Sequence, residues 1–375
     1  MNRRGSDTAD GVSPWRKKKS RIKYRDIFED LQKKLRDGDY PQGVPLPSEE
    51  ALSRKYGVSR ITAVRAMDEL VKKGLIWRKR GAGTFATRIA RMESGRLGLI
   101  VPSLSFGEIF PPICQSLTRF AQQDGYTFLL GDISAARPDQ RAHEACKVAR
   151  TFVEQKVAGV IFQPLAFLKT PERVTREIIT MFNEADIPVV LVDRDIPQSA
   201  APHDFVGIDN LNAGRELGVH LLEKGAKRIH FLMRPNCASV IRDRLDGVMS
   251  ALGTDRPKGN VIVAEPSDSK TLAEWFTKRN RPDAVVCESD YIAAQLRNTL
   301  AKFDLSVPKD VMLAGFDDVR CAVSATPPLT TVHQPCADIA RVAYQTLRER
   351  MRDSTLPPRR ILLPAPLVVR DSTAR

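Results

Sequence analysis

The sequence is poor in the groups from which metal sites and enzyme centres are built. Its five histidines (His143, His203, His220, His230 and His333) form no HxxxH pair, and its six cysteines (Cys114, Cys146, Cys237, Cys287, Cys321 and Cys336) form no CxxC pair. No zinc-type ligand set is therefore predicted, and thiols this scattered are expected to stay free in a reducing, cytoplasmic compartment. A Gly-rich dinucleotide loop and a Gly-x-Ser-x-Gly elbow are both missing, and Gly81-Ala82-Gly83-Thr84 lacks the Lys-Ser/Thr ending of a phosphate loop. The expectation is a protein that is not an enzyme and that needs no cofactor and no metal. Apolar runs such as Ile187 to Val192 and Ile361 to Val369 fall short of the roughly 18 residues of a membrane span, and no apolar stretch follows Met1-Asn2-Arg3-Arg4. Neither membrane residence nor a secretory signal is expected.

What is present is length and an uneven charge. The chain has 375 residues and a formal net charge of +14, too long for one small core. Residues 1 to 95 hold 23 lysines and arginines against 12 acids, net +11, which leaves +3 for the other 280 residues. A basic head for a polyanion on a nearly neutral body is the implied organisation. A body without a strong field suits a small, uncharged ligand.

Residues 1 to 20, with the run Arg16-Lys17-Lys18-Lys19, read as a disordered basic tail that adds salt-dependent attraction to phosphates. Tyr24, Ile27, Phe28, Leu31 and Leu35 then fall on one helical face, which Gly38 ends. After the extended stretch enforced by Pro45 and Pro47, Ser48 is placed to cap a second helix with Glu49 and Glu50 in its first turn. Gly57 supplies the turn, Ser59 is the next cap, and Ile61 to Lys73 forms a third helix closed by Gly74. Leu75 to Arg80 and Thr84 to Thr87, joined across Gly81-Ala82-Gly83, read as a basic hairpin. This is the outline of a helix-turn-helix with a wing.

The segments Leu46-Pro47-Ser48-Glu49, Gly57-Val58-Ser59-Arg60-Ile61-Thr62, Glu69 to Ile76 and Gly81-Ala82-Gly83-Thr84-Phe85 together resemble the GntR-type winged helix-turn-helix. The resemblance implies that the third helix enters the major groove of double-stranded operator DNA and that the wing approaches the minor groove. It assigns Ser48, Ser59, Arg60, Thr62, Arg65, Arg78, Lys79, Arg80, Gly81 and Gly83 to the DNA-facing surface. The family often carries Arg two residues after this Thr; here Val64 stands there and Arg65 follows. Arg65 shares a helix face with Thr62 and could reach a phosphate or a guanine edge, while Val64 could meet a thymine methyl or pack inside.

From Leu97 onward nine short apolar runs alternate with helix-length segments: Leu97 to Val101, Thr127 to Leu130, Gly159 to Phe162, Val189 to Val192, Phe205 to Ile208, Arg228 to Leu232, Val261 to Val263, Ala284 to Cys287 and Val311 to Ala314. This pattern predicts parallel α/β lobes. Ligands of such sheets sit beyond the strands' carboxyl ends, so Ser103 and Ser105, Asp132, Asp193-Arg194-Asp195, Asp209-Asn210, Ser289-Asp290 and Asp317-Asp318 draw attention. A helix cap or turn is the simpler role for any one of these aspartates, and at Asp290 capping and ligand contact could coexist.

Gly98 to Pro102, Pro188-Val189-Val190 with Val192-Asp193, Arg242 to Gly247, Gly315-Phe316-Asp317-Asp318, Pro328 to Pro335 and Leu367 to Thr373 resemble, in that order, the LacI-type effector domain. That resemblance implies two Rossmann-like lobes joined by three crossovers, similar to periplasmic sugar-binding proteins, with Ser105, Phe110, Asp193, Arg244, Asp290 and Asp317 in the cleft. Carboxylates and an arginine suit vicinal hydroxyls, and an aromatic suits a sugar face. The whole chain resembles the arabinose-repressor branch of the GntR family. The expected organisation is a tail (1–20), a small α+β winged helix-turn-helix (21–89), a linker (90–96) and a two-lobed α/β periplasmic-binding-protein-like domain (97–373). The expected protein is a homodimeric DNA-binding regulator, a repressor released by a sugar-like effector. Ligand-dependent activation is the alternative, and a sugar-binding protein or an enzyme on the same scaffold is less supported.

Overall fold

The computed structural model describes residues 24–36, 39–40, 43–87, 95–102, 109–133, 137–166, 168, 170–196, 202–253, 261–277, 279 and 281–374. The tail expected at 1–20, Gly38, most of the 90–96 linker, Ser103 and Ser105 lie outside the described residues. The chain divides into two compact units, Met1–Ala86 and Thr87–Arg375.

In the first unit, helices α1 (Tyr24–Arg36), α2 (Glu49–Tyr56) and α3 (Arg60–Lys72) bury Ile27, Leu31, Leu35, Leu52, Ala63, Ala66, Met67 and Leu70 against one another. The expected serines do start the second and third helices. Ser48 Oγ accepts from the Ala51 amide at 3.2 Å and Ser59 Oγ from the Thr62 amide at 3.3 Å, each satisfying an otherwise unpaired first-turn donor. Gly57 closes α2 at φ +61°, a conformation costly for any residue with a Cβ. Strands β1 (Ile76–Lys79) and β2 (Gly83–Ala86) form the antiparallel wing, with Trp77 opposite Phe85 and their rings 5.4 Å apart. The Leu46 amide donates to the Thr84 carbonyl at 2.7 Å, so the proline-rich stretch lies along the wing instead of looping free.

The second unit holds two six-stranded sheets. Its strands are β3 (Arg96–Pro102), β4 (Thr127–Ile133), β5 (Val160–Phe162), β6 (Val189–Val192), β7 (Asp204–Ile208), β8 (Ile229–Met233), β9 (Val261–Val263), β10 (Ala284–Cys287), β11 (Met312–Asp317), β12 (Thr330–His333), β13 (Arg360–Leu363) and β14 (Leu367–Val368). The first sheet runs β13-β7-β6-β5-β3-β4, all parallel; the second runs β14-β12-β11-β10-β8-β9, parallel except for β14. The helices are α4 (Phe110–Gln123), α5 (Pro138–Glu154), α6 (Pro171–Glu184), α7 (Asn210–Glu223), α8 (Ser239–Ala251), α9 (Ser269–Trp275), α10 (Asp290–Lys302), α11 (Arg320–Ser324) and α12 (Cys336–Arg352).

All nine apolar runs become strands, and three strands join them that apolar content did not announce. Strand β12 carries two buried threonines whose hydroxyls are satisfied by side chains: Thr330 by Thr373 at 2.8 Å and Thr331 by Asp290 at 2.6 Å. Strands β13 and β14 are edges. The chain crosses between lobes after β7, after β12 and again between β13 and β14, the three crossovers that the resemblance implied.

Helices α7 and α8 cross through glycines. A Cβ on Gly214 would stand 2.2 Å from the Arg244 carbonyl oxygen, and one on Gly247 would stand 2.1 Å from that of Leu211. This backbone-to-backbone contact fixes the height and rotation of α8, and with it the side chain of Arg244. Among the described residues no helix is long and apolar enough to cross a membrane, and no group of three or more His, Cys, Asp or Glu could hold a metal ion. None of the six cysteines forms a disulfide.

Gly247→Ala is expected to destabilise the second unit by about 1–3 kcal/mol, the range for forced overpacking, with loss of the crossing geometry. Urea denaturation followed by circular dichroism measures it; an unchanged midpoint would show that the two helices part freely.

Candidate functional site

Two surfaces gather the residues singled out above. On the first unit, Arg60 opens α3 exposed beside Thr62, whose Oγ1 lies 2.9 Å from Ser59 Oγ. Ile61 stands between them 81% exposed, an apolar side chain that the motif reading passed over. The hydroxyls of Ser48 and Ser59 are engaged as caps. Arg65 lies with its guanidinium 4.2 Å from the Tyr24 ring centroid, so α1 holds it in a cation–π contact.

Arg78 departs from the expected role. It pairs with Glu49 of α2 at 3.2 Å and Asp68 of α3 at 3.0 Å, which ties the wing to the helices. A guanidinium held by two carboxylates is not the free cation that a phosphate contact requires. Lys79 and Arg80, exposed at the end of β1, have no ion-pair partner among the described residues. Gly81 at φ +76° and Gly83 at φ +120° shape the tip, where a side chain would strain the backbone.

The second surface lies between the lobes, at the carboxyl ends of the strands. Both sheets place their second strand outside their first, in the order 2-1-3-4-5, so each has a switch point where neighbouring loops diverge, at β3/β5 and β8/β10. The residues following these strands are polar and mutually bonded. Gln163, directly after β5, donates through Nε2 to Asp193 Oδ2 at 2.9 Å. Arg234, directly after β8, pairs through Nε with Glu288 Oε1 at 2.6 Å, and its amide donates to Glu288 Oε2 at 2.8 Å.

Arg244 joins these loops. Its Nε donates to Asn210 Oδ1 at 2.8 Å, Nη1 to the Glu288 carbonyl at 2.7 Å and Nη2 to Asp317 Oδ1 at 3.4 Å, while the Phe316 ring lies 4.6 Å away. Gln334, after β12, also donates to Asp317 at 3.3 Å. Burial lifts the Asp317 carboxyl to about 6; nearby Arg244 opposes the rise and Asp193 adds to it. Burial likewise pulls the Arg194 guanidinium below its ordinary value, opposed by Asp193 and assisted by Arg244 and Arg234. Asp193 and Asp317, one from each lobe, thus feel each other across the same arginines.

Three expected cleft residues fare differently. Asp290 is fully buried: its Oδ1 accepts from Thr331 Oγ1 at 2.6 Å and its Oδ2 from the Val319 amide at 3.1 Å. It ties α10 to the loop after β11, and both of its carboxylate oxygens are engaged by protein donors. Phe110 is 4% exposed in the main apolar core as the first residue of α4, so it packs under the sheet and offers no aromatic wall. Ser105 lies outside the described residues. Asn210 stands after the fifth apolar run as expected, whereas Gln163, Arg234, Glu288 and Gln334 are not anticipated from the sequence. Gln163 holds after the third apolar run the place that Asp193 holds after the fourth.

Beside this network the lobes enclose a cavity of about 490 Å³. The loop after β5, α6, the loop after β6 and the start of α8 line it. Arg194 belongs to both places, lining the cavity while its Nε lies 3.6 Å from Asp193 Oδ2.

Comparison with known proteins gives two family matches: residues 23–86 fit the model described as bacterial regulatory proteins, gntR family, and residues 219–373 fit the periplasmic binding protein-like domain. The chain is 26% identical to the arabinose metabolism transcriptional repressor of Halalkalibacterium halodurans, covering 94% of this chain and 96% of that one. It is 34% identical to the "Probable opine utilization operon repressor" of Rhizobium rhizogenes, over 44% of this chain and 91% of that one. Among solved structures, the transcriptional regulator CelR in complex with cellobiose superimposes with a TM-score of 0.64 at 22% identity, covering 87% of this chain and 100% of that chain, a likeness of fold.

The raised Asp317 carboxyl makes stability depend on pH. The folded chain holds this proton up to about pH 6, whereas a solvated aspartate releases it near pH 4. The group's contribution to stability is therefore full below about pH 4 and lost as pH rises through about 6. Asp317→Asn should gain on the wild type in urea midpoint as pH goes from 4 to 7; a constant gap across that window would show that folding does not raise the Asp317 carboxyl.

Proposed function

This chain belongs to the GntR family of bacterial regulators and carries a periplasmic-binding-protein-like effector domain, and from that premise we propose that it is a homodimeric, cytoplasmic repressor released from its operator by a sugar-like ligand in the interlobe cleft. The family and the relatives are transcriptional regulators, so the chain is a DNA-binding transcriptional regulator and not an enzyme. The observation that carries the effector reading is the two hydrogen-bonded pairs Gln163–Asp193 and Arg244–Asp317, one from each lobe near the carboxyl ends of their strands. Such a set accepts from and donates to vicinal hydroxyls, and a ligand spanning it stabilises one lobe arrangement over another. Only that difference in affinity transmits binding to the operator.

At the DNA, Arg60 and Thr62 at the start of α3 face the major groove, and Ile61 between them suits the methyl of thymine. Lys79 and Arg80, presented by a wing that Gly81 and Gly83 shape, supply phosphate contacts. The Ser48 and Ser59 caps leave other first-turn amides of α2 and α3 free for phosphate. Arg65 acts from its Tyr24 platform, and Arg78 holds the wing in place. Two copies reading two half-sites provide affinity that one small module lacks.

Operator titration at several salt concentrations tests both halves. Arg80→Ala should lower the slope of log Kobs against log salt by about 1, and Arg78→Ala by less, since its charge is already paired. Asp193→Asn should leave operator binding intact and abolish release by whichever sugar stabilises the wild type. Loss of operator binding and ligand response together in Asp193→Asn would contradict separate sites.

A further inference from the structure

The cavity beside the central network carries a charge that the neutrality of the whole domain conceals. Four guanidiniums line it: Arg173 and Arg176 from α6, Arg194 after β6 and Arg242 from α8. Two acids face them, Glu172 and Asp195. Asp195 is already taken, because its Oδ1 lies 2.8 Å from His203 Nε2 and its Oδ2 accepts from Arg360. Arg194 leans on Asp193. Arg173, Arg176 and Arg242 are exposed and have no ion-pair partner among the described residues. Arg173 and Arg176 stand three residues apart on one helix, where like charges repel unless something answers them.

A second observation sits in the same wall. The Thr175 side chain is fully buried, lines the cavity, and its hydroxyl has no hydrogen-bond partner. A buried hydroxyl left unpaired costs stability, and an arriving acceptor removes that cost. Three cations without an ion-pair partner around a common space, with an unpaired buried hydroxyl in the same wall, form a site for an oxyanion. Arginine in particular offers planar forked donors to carboxylate and phosphate.

We propose that this cavity receives the anionic end of the effector, a carboxylate or phosphate, while the polyol end reaches Asp193, Arg244 and Asp317 through the gap that Arg194 borders. The effector is then a sugar acid or a sugar phosphate, not a neutral sugar. This rests on the reading of the interlobe cleft as the effector site and narrows its ligand class. Glu172, the acid without an assigned partner, leaves the lining net positive by two when Asp195 is counted with Arg360 and Arg194 with Asp193. One carboxylate or one phosphate fits that surplus without overcharging it.

The test uses the full-length protein with six probes: D-gluconate and D-glucuronate as carboxylates, D-glucose 6-phosphate and D-ribose 5-phosphate as phosphates, and D-glucose and D-ribose as neutral parents. Calorimetry and thermal shift should show that at least one anionic probe binds at least about tenfold more tightly than its parent, the return expected from one charge-assisted hydrogen-bond pair. The arm that binds identifies the oxyanion. The variant Arg173→Ala/Arg176→Ala and the single Arg242→Ala change exposed side chains and so retain the fold. Each should reduce the binding of that probe about tenfold or more, with operator affinity in its absence unchanged.

Equal binding of anion and parent, unaltered anion binding in both variants, or no binding by any of the four anionic probes would each overturn the proposal. Neutral sugars that bind through Asp193 and release the operator would leave the broader reading standing while this one falls. Conversely, an anion that binds through Arg173, Arg176 and Arg242 but leaves operator affinity untouched would keep the cavity assignment and remove the regulatory reading.

Discussion

A guanidinium taken out of water must keep its N–H groups bonded, and Arg244, 3% exposed, meets this demand by reaching three separate segments of chain. Asn210 begins the helix after the first crossover, Glu288 follows the middle strand of the second lobe, and Asp317 ends the next strand. These groups would drift if Arg244 moved, since each depends on the same fork. The fork is immobile because its helix meets α7 backbone to backbone at Gly214 and Gly247. A packing contact between small residues, remote from any ligand chemistry, thus sets the coordinates of the polar site.

The two lobes repeat one strand order, and each brings its switch point to the same gap. That duplication explains why acceptors and donors arrive there in balanced numbers: Gln163 with Asp193 from one sheet, Arg234 with Glu288 from the other. Both pairs are bonded as the structure stands, yet Gln163 Oε1 is buried without a hydrogen-bond partner. A ligand must either exchange places with existing partners or occupy the residual capacity of Gln163, Asp317 and Arg244. Such sites discriminate hydroxyl patterns well, because a ligand lacking one hydroxyl leaves a desolvated group unpaired.

Much of the fold was legible because its signals are local. Ser48 and Ser59 announce caps by residue type and spacing, Gly57 and Gly81 announce left-handed turns, and fully buried parallel strands announce themselves as apolar runs. Strand β12 escaped that reading since its core side includes Thr330 and Thr331, apolar in environment only after Asp290 and Thr373 satisfy their hydroxyls. Asp290 itself shows the limit at the site. Its position after a strand is the position of a ligand residue, yet a threonine 41 residues later and a loop amide consume its oxygens. Arg78 is the same lesson in the wing, where charge was legible and its partners in two other helices were not. Sequence order conveys which residues stand at a strand end, but not which distant donor claims them first.

Strands β13 and β14 also bear on how the molecule is made. Strand β13 completes the edge of the first sheet beside β7, and β14 with the turn Asp371–Thr373 closes the second, where Thr373 meets His220 at 2.9 Å and Ser372 donates to the Leu313 carbonyl at 2.6 Å. During translation neither lobe reaches its final form until residues 360 to 373 have left the ribosome, whereas the three helices and the wing close among residues 24 to 86. Domains fold as units in the order they emerge. The nascent chain therefore acquires its DNA-reading module long before it acquires hearing, and a ribosome stalled late in the message displays a reader that no metabolite can yet dismiss.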